Sequence, residues 1–272
     1  VKTLNKIEVK ILNPSVVTDA EQMMVAMARM TQKGHAIHDM SDFMDLLNKP
    51  YSDTTVETMS DLPHPTIQKF GMVSIAVIGA SRRFLAQITR HQNEVKFMSG
   101  SLQYSDYSGV AQFCVPYEVI QYDAEHCEEI TMRDVYLGSC ANALGDYETL
   151  ASTVGRDAAG YAMPQGLRNV LVISATPYQW KHMISQRICN RNTLETKYVM
   201  LRCWEELNAL SVMFSNAGPS CIQLGHCAEG KMSCGHFLHD VPVDDYMQTY
   251  DKSLPSAILD VHFKYIRGDN NV

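Results

Sequence analysis

The sequence holds 272 residues, a formal net charge of −7 and 46% hydrophobic side chains. That is enough for one large domain, or two small ones, around a sizeable core. The acid excess excludes broad binding to a nucleic-acid backbone, which needs a basic face, and no apolar run approaches the roughly 18 residues of a membrane span.

The first stretch, VKTLNKIEVKIL, alternates apolar and polar residues; it reads as a strand and not as a signal peptide. The expected setting is therefore a reducing cytoplasm, with the eight cysteines as free thiols. Thr18, with Glu21 three residues on, predicts a capping box for a helix over 19–30 carrying the stripe Met23, Met24, Met27 and Met30. His35 and His38 have no third ligand nearby and read as an ordinary surface turn. A short helix is expected over 41–47 and a polar loop over 50–60.

His64 lies between Pro63 and Pro65, on backbone held extended. Alternation predicts a strand over 71–77, and Gly79 then turns the chain into a helix over 80–89. Next comes TRHQNEVKFMSGSLQYS, residues 89–105. It sets a cation, an imidazole and two amides side by side at Arg90, His91, Gln92 and Asn93, followed by the small residues Ser99, Gly100 and Ser101. Such a mixture suits an anionic ligand held beneath a planar ring: Arg and His pair with phosphate, Gly admits close backbone approach, and Ser and Tyr donate neutrally.

Residues 104–117 read as irregular. A long helix over 124–154 has Ile130, Val135, Leu137, Cys140, Leu144, Tyr147 and Leu150 on one face, with a shorter helical piece over 156–163. A second apolar strand, 169–176, leads through Pro177 into a helix with Trp180, Met183, Ile184 and Ile188 inward. Arg187 projects from that same apolar side, where a cation is costly unless it meets an anion. Arg191 and Glu195 have the spacing of a surface pair at the start of a helix over 193–214.

Beyond it lies GPSCIQLGHCAEGKMSCGH. Cys221, Cys227 and Cys234 there sit among glycines, with His226 and His236 close by. Three thiols plus a His or a fourth Cys make a closed tetrahedral zinc site; reduced structural thiols are the other reading. Residues 258–266 read as a final strand. Neither repeats nor low-complexity linkers occur, so one domain is expected, its body over 1–215 with a Cys-rich tail, 216–272, packed on it.

Taken in order, these motifs resemble the flavin-dependent thymidylate synthases. The family signature Arg-His-Arg…Ser appears as Arg90-His91-Gln92 with Ser101 one place further on. The upstream His-x-Ser/Thr is matched by His64 and Thr66, the Ser-Arg helix start by Ser81-Arg82, and Ala-Arg-x-Ser by Ala28-Arg29-Met30-Thr31. Downstream, Met163-Pro164, the second strand, Arg187 and Asn192-Thr193-Leu194-Glu195 fall in register, so the resemblance spans residues 20–215.

It implies an α/β (α+β) fold, a single mixed domain with a twisted sheet flanked by long helices, assembled as a homotetramer with active sites between subunits. It also implies conversion of deoxyuridine monophosphate to thymidine monophosphate, with methylenetetrahydrofolate as carbon donor, FAD as hydride carrier and NADPH as its reductant. By the same resemblance Gln87, Arg90, Gly100, Ser101, Gln103 and Arg187 are nucleotide contacts. Thr31, His64, Thr66, Arg90, His91 and Gln92 are flavin- or folate-side contacts, and His64, Ser101 and Arg187 are the catalytic candidates. Departures from the pattern stand at Gln92, Gln103 and Gly160, each where the family carries Arg, at Thr176-Pro177-Tyr178 in place of Asn-x-Arg, and at Lys69 in place of Glu. The lost cations leave open another pyrimidine nucleotide, hydroxymethyl transfer, or a non-catalytic zinc-stabilised homologue.

Overall fold

The computed structural model describes residues 1–4, 7–126, 129–224 and 226–234. The strands are β1 (Lys2–Leu4), β2 (Glu8–Ile11), β3 (Val73–Ser81), β4 (Val95–Ser99), β5 (Gln112–Cys114) and β6 (Arg168–Ala175). The helices are α1 (Pro14–Lys33), α2 (Met40–Leu47), α3 (Asp53–Ser60), α4 (Arg82–Ile88), α5 (Tyr117–Glu125), α6 (Met132–Thr153), α7 (Arg156–Ala159), α8 (Pro177–Arg187), α9 (Leu194–Asn208) and α10 (Ser220–Gln223). This is the mixed α/β architecture expected.

The central sheet is antiparallel, in the order β2–β3–β6–β4. Side chains alternate across a strand, so Val73, Ile75 and Val77 share one face. The register sets them opposite Ala175, Ile173 and Leu171, and all six are buried. α9 lies over β2 and β3 and buries Tyr198, Trp204 and Leu207; α8 adds Trp180, Met183 and Ile184, and α1 adds Met24 and Val25. Each fully buried aliphatic side chain of this core contributes about 1.5–3 kcal/mol. A smaller core gathers Phe113, Cys140, Tyr147, Ala159, Met163 and Leu167 against α6.

β3 ends in an irregular register between Ile78 and Ser81. Gly79 sits there at φ +95°, a conformation side chains resist. Ser81 then caps α4, its hydroxyl accepting from Phe84 N at 3.2 Å.

Several expectations are corrected. α1 starts at Pro14, which suits a first helical position, so Thr18 lies inside the helix and donates to Ser15 O at 2.8 Å. Asn13, just before it, is bound to the edge of β3, giving to Met72 O and accepting from Ser74 N. The polar segment 50–60 holds α3, whose cap Ser52 accepts from Thr55 N. Its one fully buried apolar residue, Val56, leaves no stripe to read. The long helix of 124–154 is two, α5 and α6. Thr131 and Asp134 form a capping box at the break, and Asp123 accepts from Met132 N and Arg133 N. Ile130 and Val135 are consequently exposed while Cys140 and Tyr147 are buried.

Residues 104–117 are not wholly irregular, because β5 pairs in parallel with β1. The helix of 193–214 ends at Asn208, leaving Leu210 exposed and a separate 3₁₀ turn at Val212–Phe214. The strand expected over 258–266 lies outside the described residues. Among the described residues no helix is long and apolar enough to cross a membrane.

Candidate active site

The C-terminal ends of α4 and α8 converge on Arg187. Its Nε donates to His91 Nε2 at 2.9 Å, its Nη2 to Gln87 O at 2.9 Å, and its Nη1 to Asn192 Oδ1 at 3.4 Å. The position at the end of α8 favours a cation, since helix carbonyls point there. Every one of these acceptors is neutral, so among the described residues no carboxylate offsets the charge. Burial makes the charged form of Arg187 less favourable than usual. A half-buried guanidinium with neutral partners is a ready receptor for an anion.

His91 is buried. Burial, then the charges of Arg187 and His182, push its pKa down to about 4. It is neutral near pH 7, and because Nε2 accepts from Arg187 its proton belongs on Nδ1. His182 stacks edge-on at 5.7 Å between ring centroids; burial and Arg187 lower its pKa as well. Gln87 is fixed from the other side, its Oε1 accepting from Thr196 Oγ1 and Thr193 Oγ1. Thr193 is also the cap of α9.

Glu195, in the first turn of α9, accepts from Ser81 N and Ser81 Oγ, both at 2.6 Å. Burial raises its pKa against the pull of those two bonds. This overturns the expected Arg191–Glu195 pair: Arg191 meets Glu229 instead. The start of α9 is thus bound to both ends of α4, at Ser81 and at Gln87.

Beside this cluster lies a hollow of about 550 Å³ lined by Lys69, Gln92, Asn93, Glu94, Tyr178, Gln179 and His182. A second hollow, also about 550 Å³, includes Leu62, Pro63, Pro65, Lys181, Tyr178 and His182; the last two line both. Glu94 adopts φ 52°, uncommon for a side-chain-bearing residue, and is held by Lys69 Nζ at 2.7 Å and Thr176 Oγ1 at 3.0 Å. The Lys69 bond, opposed by burial and helped by Thr176, keeps its carboxyl below the usual range. The Lys69 ammonium also stands 5.0 Å from the centroid of the Tyr178 ring. Burial, against Asp61, pushes Lys181 down to about 8; it donates to Gln68 Oε1 at 3.2 Å.

The structure thus joins three of the predicted residues, Gln87, His91 and Arg187, and sets Gln92 on the adjoining hollow. His64, Thr66, Arg90 and Gln103 are exposed, as is Thr31, whose hydroxyl donates to Ala28 O at 2.8 Å. Ser101 Oγ accepts from Gln103 N and Tyr104 N at 3.1 and 3.2 Å, shaping a turn. Gly100 N donates to Val170 O, and a Cβ there would stand 3.2 Å from Asn169 Oδ1. The Cys221, Cys227 and Cys234 thiols are partly buried and in no disulfide. Among the described residues no group of three or more His, Cys, Asp or Glu already stands arranged to hold an ion; His236 lies outside them. Sequence reasoning missed His182, named Tyr178 only as a departure from the family's Asn-x-Arg, and gave Glu94, Asn192 and Thr193 no contact of their own; the helix-start pattern at Asn192-Thr193 was the available signal.

The sequence profile of the family described as Thymidylate synthase complementing protein, Thy1, matches residues 15–211. The flavin-dependent thymidylate synthase of Pyrococcus abyssi is 25% identical over 178 residues, covering 62% of this chain and 70% of that protein. The Clostridium tetani enzyme of the same name is 22% identical over 182 residues, 60% and 68% of the two chains. In three dimensions the chain is similar to PolB, a UMP/dUMP methylase from Streptomyces cacaoi bound with 5-Br dUMP, with TM-score 0.60, 15% identity and 80% and 96% coverage. It is also similar to Thymidylate Synthase X of Helicobacter pylori with FAD and dUMP, with TM-score 0.57, 15% identity and 78% and 98% coverage.

Proposed function

Because the chain belongs to the Thymidylate synthase complementing protein family, we propose that it is a methyltransferase acting on carbon 5 of the uracil ring of a pyrimidine nucleoside monophosphate. Deoxyuridine monophosphate is the first candidate and thymidine monophosphate the product. Methylenetetrahydrofolate donates the carbon, and NADPH supplies the reducing equivalents through FAD. The observation that carries this reading is Arg187, half-buried and on neutral partners, at the place where the motif order puts a nucleotide-binding Arg.

On this reading Arg187 and Gln87 hold the anionic nucleotide. Neutral His91 fixes the angle of the guanidinium without competing for the anion. Positive charge at Arg187 favours negative charge developing on the pyrimidine ring. The hollow at Gln92, Glu94 and Tyr178 fits a flat ring with a polar rim: Tyr178 offers an aromatic wall, and Gln92, Asn93 and Gln179 offer amide donors and acceptors. Bound there, a flavin would supply the hydride for the transferred carbon. His64, Thr66 and Thr31 serve the flavin or folate side. Arg90, whose backbone N–H donates to Gln87 O at 3.4 Å, completes the nucleotide site with Ser101, Gly100 and Gln103, in a homotetramer whose sites lie between copies. Purified protein carrying flavin absorbance and producing thymidylate, identified by mass, is the expected result. A colourless protein that takes up no flavin and makes no product overturns the reading.

A second reading is favoured by Gln92 and Gln103, amides where the family carries arginines. It keeps the chemistry and changes the nucleotide, or the group transferred, to a hydroxymethyl. A panel of deoxyuridine, uridine and cytidine monophosphates, with product mass as readout, separates the two; thymidylate as sole product removes the second.

A further inference from the structure

Cys189 lies in the turn after α8, whereas Cys221, Cys227 and Cys234 come after α9. Three ties bring these parts together. Ser220 Oγ donates to Ser185 O at 3.1 Å, setting the start of α10 against α8. Arg191, two residues past Cys189, pairs with Glu229, two residues past Cys227. Lys197, only 1% exposed, donates to Asn190 Oδ1 at 2.6 Å, beside Cys189.

All four thiols are partly buried and none is in a disulfide. Cys221 has the other three, Cys189, Cys227 and Cys234, as electrostatic neighbours. Lys197 is an electrostatic neighbour of two of them, Cys189 and Cys234. By contrast Cys114, Cys140 and Cys203 sit inside the two apolar cores or at their edge, as ordinary small core residues do.

We propose that Cys189, Cys221, Cys227 and Cys234 bind one zinc ion, which fastens the segment 220–234 to the α8–α9 turn, with Lys197 as the buried counter-charge. Zinc takes four thiolates tetrahedrally in closed structural sites. Such a centre carries two net negative charges, and a buried ammonium beside it is the compensation that charge requires; among the described residues Lys197 has no carboxylate partner, only the Asn190 amide. His226 is not the fourth donor, since it is exposed and its Nδ1 faces Leu224 O at 3.0 Å. No three donors are already in ligating arrangement among the described residues, so binding draws the sulphurs together through side-chain rotation. The ion thereby orders the turn that presents Asn192 and Thr193 to Arg187 and Gln87. The proposal does not depend on which nucleotide the site takes.

The test is metal content of the full chain purified under reducing conditions, with zinc release followed during titration of the thiols by a mercurial. One zinc per chain is expected, released as the four thiols react. Cys189→Ser and Cys234→Ser are expected to lose at least nine-tenths of the zinc, while Cys140→Ser keeps it. Should the serine variants fold poorly, cobalt substituted into the unmodified protein gives an independent readout: intense thiolate charge-transfer bands and a tetrahedral visible spectrum. Protein without zinc that also takes up none when it is added overturns the proposal. So do zinc retained in full by Cys189→Ser, and cobalt bound without thiolate bands.

Discussion

The Nε of Arg187 donates to Nε2 of His91 at 2.9 Å, joining the last turn of α8 to the residues just past α4. The bond does two things at once. It sets the imidazole as a neutral acceptor, and it aims the guanidinium while leaving its charge unspent.

The first prediction concerns that geometry. Arg187→Lys keeps the charge but cannot bond His91, Gln87 and Asn192 together. Loss of charge-assisted bonds of about 1.5–3 kcal/mol each predicts roughly 10- to 150-fold weaker nucleotide binding. Calorimetric titration with deoxyuridine monophosphate checks it; unchanged affinity would place the phosphate elsewhere.

Acid should destabilise the protein through His91. Its folded pKa, about 4, lies below the ordinary 6.5 of the unfolded chain. Between those values the unfolded state binds the extra proton, so stability present above pH 6.5 is lost as pH falls toward 4. The loss is on the order of 3 kcal/mol. His91→Gln keeps an acceptor without the titration, and its urea midpoint should vary less between pH 7 and pH 4.5 than that of the unmodified protein.

Gln92→Arg or Gln103→Arg should restore a cation that the family carries and raise affinity for the nucleotide, by about tenfold for one charge-assisted bond. Equilibrium binding with deoxyuridine monophosphate measures it. No gain from either substitution would mean that other groups hold the phosphate.

Glu195 should matter for stability before chemistry. Glu195→Ala leaves Ser81 N and Oγ without their carboxylate and frees the start of α9 from α4. A loss of about 3 kcal/mol is expected, read from urea unfolding. Glu195→Gln, which retains one good acceptor, should lose less than half of that.

Much of this was legible in the chain itself. The alternation of Val73, Ile75 and Val77 marked a strand, Pro177 marked the start of α8, and a cation on an apolar helix face marked Arg187. The order of His64, Arg90-His91, Ser101 and Arg187 pointed to the family. These signals are local, or depend on sequence order alone, so folding adds nothing to them.

The tertiary structure decided which partners those residues find. Thr131 and Asp134 end one helix and begin another inside a continuous apolar period, because a cap satisfies backbone donors that periodicity does not register. Arg191 had two carboxylates to choose from and took Glu229, far along the chain, in place of Glu195, which Ser81 already held. Thr193 and Thr196 reach Gln87 across about a hundred residues of sequence. The residue types, their order and the family could be read from sequence, since each follows from local pattern. The neutrality of His91, the unspent charge of Arg187 and the approach of Lys197 to Cys189 and Cys234 arise only when distant segments pack together, and that is a property of the fold.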